Sequence, residues 1–123
     1  MKIAFIISSL GSGGAERVLS LMANFWAHKN YSIIVITLDN STPFYLLEDG
    51  IQVEQLSLLK NSGSVFSALA NNITRIKIIK KKLIEINPDI VISFMTETNI
   101  ISTIGCKIIN KPIIIAERTT IIY

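Results

Sequence analysis

Short apolar runs alternate along this chain with longer segments of helical periodicity, and this alternation limits the fold more than any other feature. Ile3–Ile7 and Ile33–Ile36 are continuous apolar runs of strand length. Between them, residues 14–29 repeat apolar side chains every three or four positions, which is the spacing of one helix face. Strands that alternate with helices in this way form βα units on a parallel sheet. The sequence therefore predicts an α/β protein.

Five strands and three helices follow from this pattern, and residues 1–123 are expected to form a single domain. Right-handed crossovers make 3-2-1-4-5 the expected strand order, which is that of a Rossmann-like three-layer sandwich. The predicted strands are Lys2–Ser8, Tyr31–Leu38, Ile51–Leu56, Asp89–Phe94 and Lys111–Ala116, and the predicted helices are Gly14–Lys29, Ser64–Ile86 and Thr98–Ile109. The predicted buried faces are Ala15, Val18, Leu19, Met22, Phe25 and Trp26 in the first helix, and Val65, Leu69, Ile73, Ile76, Ile79, Leu83 and Ile86 in the second.

Composition excludes several classes of protein. Half of the residues are apolar, which is enough for a core, but every apolar run is far shorter than the ~20 residues of a transmembrane helix. Lys2 and the short run after it do not make a signal peptide, because Glu16 and Arg17 stand where the cleavage site should be. We therefore expect an intracellular, cytoplasmic protein. The single cysteine, Cys106, excludes an internal disulfide and a multi-cysteine metal site and is expected to be a buried structural thiol.

The glycine-rich stretch Gly11-Ser12-Gly13-Gly14 joins the first predicted strand to the first predicted helix. Free backbone N–H groups and the positive end of the helix dipole meet at such a junction, which suits a phosphate. Arg17 lies in the first helical turn, where a cation opposes the dipole, so we expect it to face an anion. Gly13, Gly14 and Arg17 are therefore the candidate phosphate-binding residues.

Other interpretations of this loop stay open. A dinucleotide-binding motif requires G-x-G-x-x-G, and Glu16 stands in the place of the third glycine. Asp39, at the end of the second predicted strand, could bind a cofactor ribose, which keeps an NAD(P)-dependent oxidoreductase or epimerase as an alternative. A noncatalytic subunit that pairs with a separate donor domain is a third possibility. The two glycines could also simply form a tight turn.

Polar clusters follow the fourth and fifth predicted strands. Residues 96–99 read Thr-Glu-Thr-Asn, and residues 117–120 read Glu-Arg-Thr-Thr. Because the carboxyl ends of parallel strands meet at one edge of the sheet, both clusters should lie beside the glycine loop. Three polar loops that converge on one cleft are typical of a binding site.

A basic patch lies on the second predicted helix, where five of the twelve lysines and arginines fall at Arg75, Lys77, Lys80, Lys81 and Lys82. Lys77, Lys80 and Lys81 share one helix face. They could be an ordinary solvated surface, or they could contact anionic lipid head groups or a lipid-linked diphosphate. The net charge of +3 is modest, and we expect no nucleic-acid partner.

Longer motifs resemble the N-terminal domain of the family 4 retaining glycosyltransferases, particularly the bacterial branch that builds surface polysaccharides and lipid-linked oligosaccharides. The resemblance covers the whole chain. It departs at Asn30, where the family usually has glycine, and at Thr119-Thr120, where this branch commonly has Asn-Asp-Pro. The motifs that carry it are Gly13–Leu19, Leu21–Asn24, Pro88–Phe94 with Thr98–Ile100, and Ala116–Arg118.

The resemblance implies a two-domain enzyme in which each domain binds a different substrate. The family's GT-B fold has two Rossmann-like halves, and this chain would be an incomplete N-terminal half that lacks the C-terminal donor-binding domain and is inactive alone. The full enzyme would move a sugar with retention from a nucleotide sugar, such as a UDP-sugar, to a growing glycan or polyprenyl-diphosphate-linked acceptor, without a metal or other cofactor. Association with the inner membrane face is expected. Gly13 and Gly14 would contact the donor phosphate, and Arg17 would support their loop. The acceptor side would be lined by Thr96, Glu97, Asn99, Glu117 and Arg118. Glu117 is the candidate catalytic base.

Overall fold

Eight elements form a parallel sheet flanked by helices. In chain order they are β1 (Lys2–Ile7), α1 (Gly14–His28), β2 (Ser32–Thr37), β3 (Gln52–Gln55), α2 (Val65–Ile86), β4 (Ile90–Phe94), α3 (Thr96–Ile109) and β5 (Ile113–Ala116). The structure, a computed structural model, describes residues 1–58 and 65–117, and the side chains of α2 from residue 71 onward. The five strands are all parallel in the order β3-β2-β1-β4-β5. The predicted α/β class and strand order are confirmed.

Two apolar layers cover the sheet, and the strands supply alternate residues to each. Ile3, Phe5 and Ile7 of β1 pack in the α1 layer, whereas Ala4 and Ile6 pack in the layer of α2 and α3. This two-sided burial explains why the central strands read as continuous apolar runs. In the α1 layer the ring of Phe5 stacks between two others, Trp26 at 6.0 Å and Phe94 at 6.4 Å between ring centroids.

The helix faces differ from the prediction at three positions. Val18 and Phe25 are 37% and 58% exposed, because both lie about 100° or more around α1 from Leu19, the centre of its buried stripe. Ile73 is 49% exposed, since the buried stripe of α2 runs instead through Ile79 and Leu83. The predictions for Val65 and Leu69 concern side chains outside the described residues.

Asparagines in the left-handed conformation end the helices. Asn30 has φ 66°, and its N–H donates to the Ala27 carbonyl at 3.0 Å, so asparagine fills the place expected for glycine. Asn87 (φ 51°) and Asn110 (φ 61°) follow α2 and α3 in the same way. The next strand begins within three residues of each of these asparagines.

Two expectations from composition can be compared with the fold. Cys106 is buried in the layer of α2 and α3, and desolvation raises the pKa of its thiol to about 11. A thiol with so little thiolate is a structural residue, as predicted. Within residues 1–58 and 65–117, no helix is long and apolar enough to cross a membrane.

Candidate functional site

Side-chain hydrogen bonds tie the loops at the carboxyl edge of the sheet to one another. Ser8 Oγ, after β1, lies 2.7 Å from Thr98 Oγ1 in the first turn of α3. Asn99 Nδ2 donates to the carbonyl of Ala116 at 3.1 Å and to Glu117 Oε1 at 3.4 Å, which joins α3 to the end of β5. Thr98 is fully buried and Asn99 is 2% exposed. The described parts of the two predicted polar clusters therefore meet, and Ser8 at the end of β1 joins them.

The glycine loop leaves the start of α1 open. Gly13 is the N-cap residue, with extended φ −75° and ψ 174°, and no side chain caps the helix. The carbonyl of Gly13 accepts the first helical hydrogen bond, from Arg17 N at 3.1 Å. Gly13, Gly14 and Arg17 are all exposed. Uncapped N–H groups at an exposed helix start attract anions, so this edge has the polarity that a phosphate needs.

Glu16 leaves little room for a side chain at residue 13. Its side chain is 4% exposed and folds back over Gly13, where an added Cβ would collide with Glu16 Oε2. Any preference for glycine at residue 13 is thus one of space, because φ −75° suits any residue. Glu16 Oε2 has no hydrogen-bond partner in the described part of the chain. A buried carboxylate therefore occupies the place where a dinucleotide motif has its third glycine.

Tyr45 holds the glycine loop from the other side. Its hydroxyl donates to the Ser12 carbonyl at 2.8 Å and lies 3.4 Å from the Gly13 carbonyl. Next to it, Phe44 N donates to the Leu10 carbonyl at 2.8 Å. The segment between β2 and β3 thus braces the loop, a role that the sequence reasoning missed. Nothing in the turn-rich composition of residues 39–50 indicates where their aromatic side chains lie.

Met95 sits between β4 and α3 with a strained backbone. Its φ of 78° with ψ 143° is rare for a residue with a long side chain. Two hydrogen bonds hold it, from Met95 N to the Ala116 carbonyl at 3.3 Å and from Asn99 N to the Met95 carbonyl at 2.8 Å. Strained residues of this kind cluster at binding sites.

The helix after Met95 begins earlier than predicted. α3 starts at Thr96 rather than Thr98, because the turn at Met95 leads from strand to helix without a connecting loop. Thr96 and Glu97 are therefore exposed residues of a first helical turn, and not of a loop. Glu117 is exposed at the end of β5, whereas Arg118 lies outside the described residues.

The comparisons with known proteins agree with this architecture. The profile of the family described as glycosyl transferase 4-like matches residues 2–122. The chain belongs to this family. The resemblance seen in the sequence motifs is thereby confirmed, and the alternative of an NAD(P)-dependent oxidoreductase or epimerase is not favoured.

One relative is a Campylobacter jejuni protein that is 35% identical over 124 residues. It is named GalNAc-α-(1→4)-GalNAc-α-(1→3)-diNAcBac-PP-undecaprenol α-1,4-N-acetyl-D-galactosaminyltransferase. The match covers 100% of this chain and 34% of the relative. This glycosyl transferase 4-like chain thus spans about a third of the length of that relative.

Solved structures share the fold at low sequence identity. MurG of Acinetobacter baumannii superposes with a TM-score of 0.75 and 14% identity, over 94% of this chain and 34% of MurG. A UDP-GlcNAc 2-epimerase of Neisseria meningitidis, bound to UDP-GlcNAc, gives 0.63 and 13%, over 92% of this chain and 30% of its own. At these identities the likeness shows a common fold.

Asp39, the residue on which the oxidoreductase alternative depended, is engaged in its own turn. Ser41 Oγ donates to Asp39 Oδ2, and Asp39 N donates to the Ser8 carbonyl at 3.1 Å. Asp39 Oδ1 is buried without a partner among the residues described. In this glycosyl transferase 4-like chain the acid thus closes the turn after β2.

In residues 1–58 and 65–117, no group of three or more His, Cys, Asp or Glu side chains could hold a metal ion. Glu16, Asp39 and Glu117 do not form such a group.

The basic residues of α2 divide into two sets. Arg75 Nε donates to the Leu58 carbonyl at 3.2 Å. Lys82 Nζ lies 3.3 Å from Glu85 Oε2 and 3.7 Å from Glu54 Oε2 on β3. Both are therefore held on the β3 side of the helix. The other set is Lys77, Lys80 and Lys81, none of which has an ion-pair partner in the described part of the chain.

Proposed function

We propose that this chain forms the acceptor-binding half of a retaining glycosyltransferase that moves a sugar from a nucleotide sugar to a glycan hydroxyl. The observation that carries the proposal is the hydrogen-bonded edge from Ser8 through Thr98 and Asn99 to Glu117, which lies at the carboxyl ends of β1, β4 and β5. Ligands of parallel α/β sheets bind at this edge. Membership of the glycosyl transferase 4-like family supports this chemistry.

The glycine loop would bind the donor diphosphate. During transfer the bond between the anomeric carbon and the phosphate oxygen breaks, and the nucleoside diphosphate leaves with the electron pair. Fixed N–H donors at Gly13 and Gly14 stabilise the charge that then builds on this oxygen. Arg17, exposed one turn into α1, adds a positive charge beside the loop. We take the donor to be a UDP-sugar.

The acceptor would lie between α3 and the end of β5. Its hydroxyl oxygen forms the new bond to the anomeric carbon and releases its proton, for which exposed Glu117 is the proposed base. Thr96, Glu97 and Arg118 would line this side. Asn99 is buried and donates to Glu117 Oε1, so we propose that it orients Glu117 rather than contacting the acceptor.

The acceptor class is proposed from the relative. The Campylobacter jejuni protein carries a PP-undecaprenol-linked glycan in its name, and we propose a glycan or polyprenyl-diphosphate-linked acceptor here. Work on such a substrate places the protein at the cytoplasmic membrane face, where Lys77, Lys80 and Lys81 contact anionic lipid or the lipid diphosphate.

Further donor contacts are proposed to come from a second, donor-binding domain. The relative is about three times as long as the match, which leaves room for the other half of a two-domain cleft. The 123-residue chain alone is therefore expected to transfer no sugar. The chemistry proposed here uses no metal or other cofactor, since N–H groups and Arg17 stabilise the leaving phosphate.

Titration of the 123-residue chain with UDP and, separately, NADH by calorimetry tests the proposal. We expect weak, saturable UDP binding that Arg17→Ala reduces about threefold to tenfold, because one exposed charge beside an anion contributes about 1 kcal/mol. Lys29→Ala is the matched control, since it removes one cation from the other end of α1, and it should bind UDP like the original chain. Tight NADH binding without UDP binding would overturn the proposal in favour of an oxidoreductase.

A further inference from the structure

Residues 43–48, which we call the strap, run beside α1 and contact the chain at both of its ends. At the start of α1, the hydroxyl of Tyr45 donates to the Ser12 carbonyl of the glycine loop at 2.8 Å. In the last turn of α1, His28 Nε2 lies 2.8 Å from Glu48 Oε1. These contacts advance in the same order along both segments. The strap therefore connects the glycine loop to the far end of the helix.

The burial of the strap alternates from one residue to the next. Pro43, Tyr45 and Leu47 are half-buried, whereas Phe44 and Leu46 are exposed. This alternation is that of an extended chain with one face on the protein, and Leu47 anchors that face in the apolar layer of α1. A shift of the strap by one residue would exchange the two faces. Tyr45 reaches the glycine loop only in the register that is observed.

Asn24, half-buried on α1, fixes this register. Its Nδ2 group donates to the Leu46 carbonyl at 2.9 Å, and its Oδ1 atom accepts from Glu48 N at 2.9 Å. In an extended chain these two backbone groups flank Leu47 and point to the same side. The amide side chain of Asn24 therefore pairs with the strap as a neighbouring strand would. A strap shifted by one residue would present neither group to Asn24.

The carbonyl that Tyr45 contacts belongs to the peptide between Ser12 and Gly13. This peptide is trans, so its N–H and its carbonyl point in opposite directions. A hydrogen bond that fixes the Ser12 carbonyl therefore also fixes the direction of the Gly13 N–H. Gly13 has no Cβ to limit the rotation of this peptide. The hydrogen bond from Tyr45 thus restrains a peptide that would otherwise rotate easily.

We propose that Asn24 and Tyr45 are positioning residues of the diphosphate site. Asn24 sets the register of the strap, and Tyr45 then sets the orientation of the Gly13 N–H toward a phosphate oxygen. Neither side chain needs to contact the ligand. An N–H donor that is already in place binds more tightly, because it does not have to be ordered when the ligand arrives. This deepens the proposed function, on which it rests for the binding of a nucleoside diphosphate by the glycine loop.

Calorimetric titration of the 123-residue chain and its variants with UDP tests this assignment. Tyr45→Phe removes only the hydroxyl and should raise the Kd for UDP about threefold to tenfold, the effect of one lost hydrogen bond. Asn24→Ala should raise the Kd by no more than this. The double variant should bind UDP like Tyr45→Phe alone, because Asn24 acts through the Tyr45 hydroxyl.

His28→Ala is the matched control. His28 lies one turn after Asn24 on the same side of α1 and also contacts the strap, but the side chains of His28 and Glu48 are 70% and 46% exposed. An exposed pair contributes little, so this variant should change the Kd for UDP by less than about twofold. Thermal melts by circular dichroism confirm that each variant is folded.

Several outcomes would overturn the assignment. It fails if Tyr45→Phe or Asn24→Ala binds UDP as the original chain does, or if their effects multiply in the double variant. Amide NMR spectra of the chain without ligand give a second readout. The Gly13 amide signal should shift or broaden in both variants and stay in place in His28→Ala, and an unchanged signal in Tyr45→Phe refutes the positioning. If the original chain binds no UDP, the proposed function fails, and the Gly13 signal alone then decides whether Asn24 and Tyr45 position the loop.

Discussion

Asn99 offers the sharpest test of how the candidate site is held together. Its side chain is 2% exposed, and its Nδ2 group donates to the Ala116 carbonyl at 3.1 Å and to Glu117 Oε1 at 3.4 Å. Asn99→Ala removes both bonds and leaves the Ala116 carbonyl without this donor. The shorter bond contributes about 1 kcal/mol, and the Ala116 carbonyl keeps its hydrogen bond from Met95 N at 3.3 Å. We expect the free energy of unfolding to fall by about 1 to 2 kcal/mol.

Urea denaturation monitored by circular dichroism measures this loss. With a slope of about 1 to 3 kcal/mol per molar urea for a domain of this size, the midpoint should fall by about 1 M. Thr103→Ala is the matched control, because Thr103 lies one turn later on α3 and is exposed. It should shift the unfolding free energy by less than about 0.5 kcal/mol.

A second variant separates the lost donor from the lost volume. Asn99→Asp keeps the shape of the side chain but replaces the donor with an oxygen that faces Glu117. Near neutral pH, Asn99→Asp should lower the free energy of unfolding at least as much as Asn99→Ala does, because the new carboxylate then faces that of Glu117. At acid pH a protonated carboxyl can donate to the Ala116 carbonyl, so part of the loss should be recovered. If Asn99→Ala costs no more than Thr103→Ala, the link between α3 and β5 is not a structural one and our reasoning is refuted.

The remaining predictions concern Gly13 and Cys106. Gly13→Ala should lower the free energy of unfolding by about 1 kcal/mol, whereas in the Glu16→Ala background it should be neutral or stabilising, because φ −75° suits alanine once the carboxylate is gone. Urea melts of the four chains check this, and equal effects in both backgrounds would contradict it. Alkylation of Cys106 at pH 8 should be about a hundredfold slower in the folded chain than in urea, since its pKa is raised to about 11 and the thiolate fraction falls tenfold per unit. Equal rates would show that the thiol is not buried.

The strand order was predictable from the burial of the apolar runs and from the handedness of the connections between strands. Ile33–Ile36 is apolar at every position, so both of its faces must be covered, and only a central parallel strand meets that condition. Handedness then leaves few orders for five strands joined by helical crossovers. The convergence of the polar segments followed from the topology alone, since the carboxyl ends of parallel strands share one edge.

The details of the site depended on information that the sequence pattern does not carry. The start of α3 was wrong by two residues because Thr96 and Glu97 have no apolar periodicity, and the positive φ of Met95 has no sequence signature. Tyr45 was missed because its bond reaches a backbone carbonyl 33 residues away. Val18 and Phe25 were misplaced because apolar residues at the margin of a buried stripe have the same spacing as those at its centre.

The features that are unfavourable for stability are concentrated where the ligand is proposed to bind. Of the five buried side-chain oxygens without a hydrogen-bond partner in the described residues, those of Glu16, Asp39 and Asn99 lie beyond strand ends at the carboxyl edge, whereas those of Ser93 and Ser102 lie in β4 and α3. The strained residue Met95 lies at the same edge.

A chain that needed only stability would place apolar side chains at these positions, because a buried polar atom without a hydrogen-bond partner lowers the free energy of unfolding. Local departures of this kind persist where a binding site requires fixed geometry. The backbone strain and the unpaired oxygens therefore indicate a binding site at the same edge that the strand order indicates. Neither observation depends on the strand order.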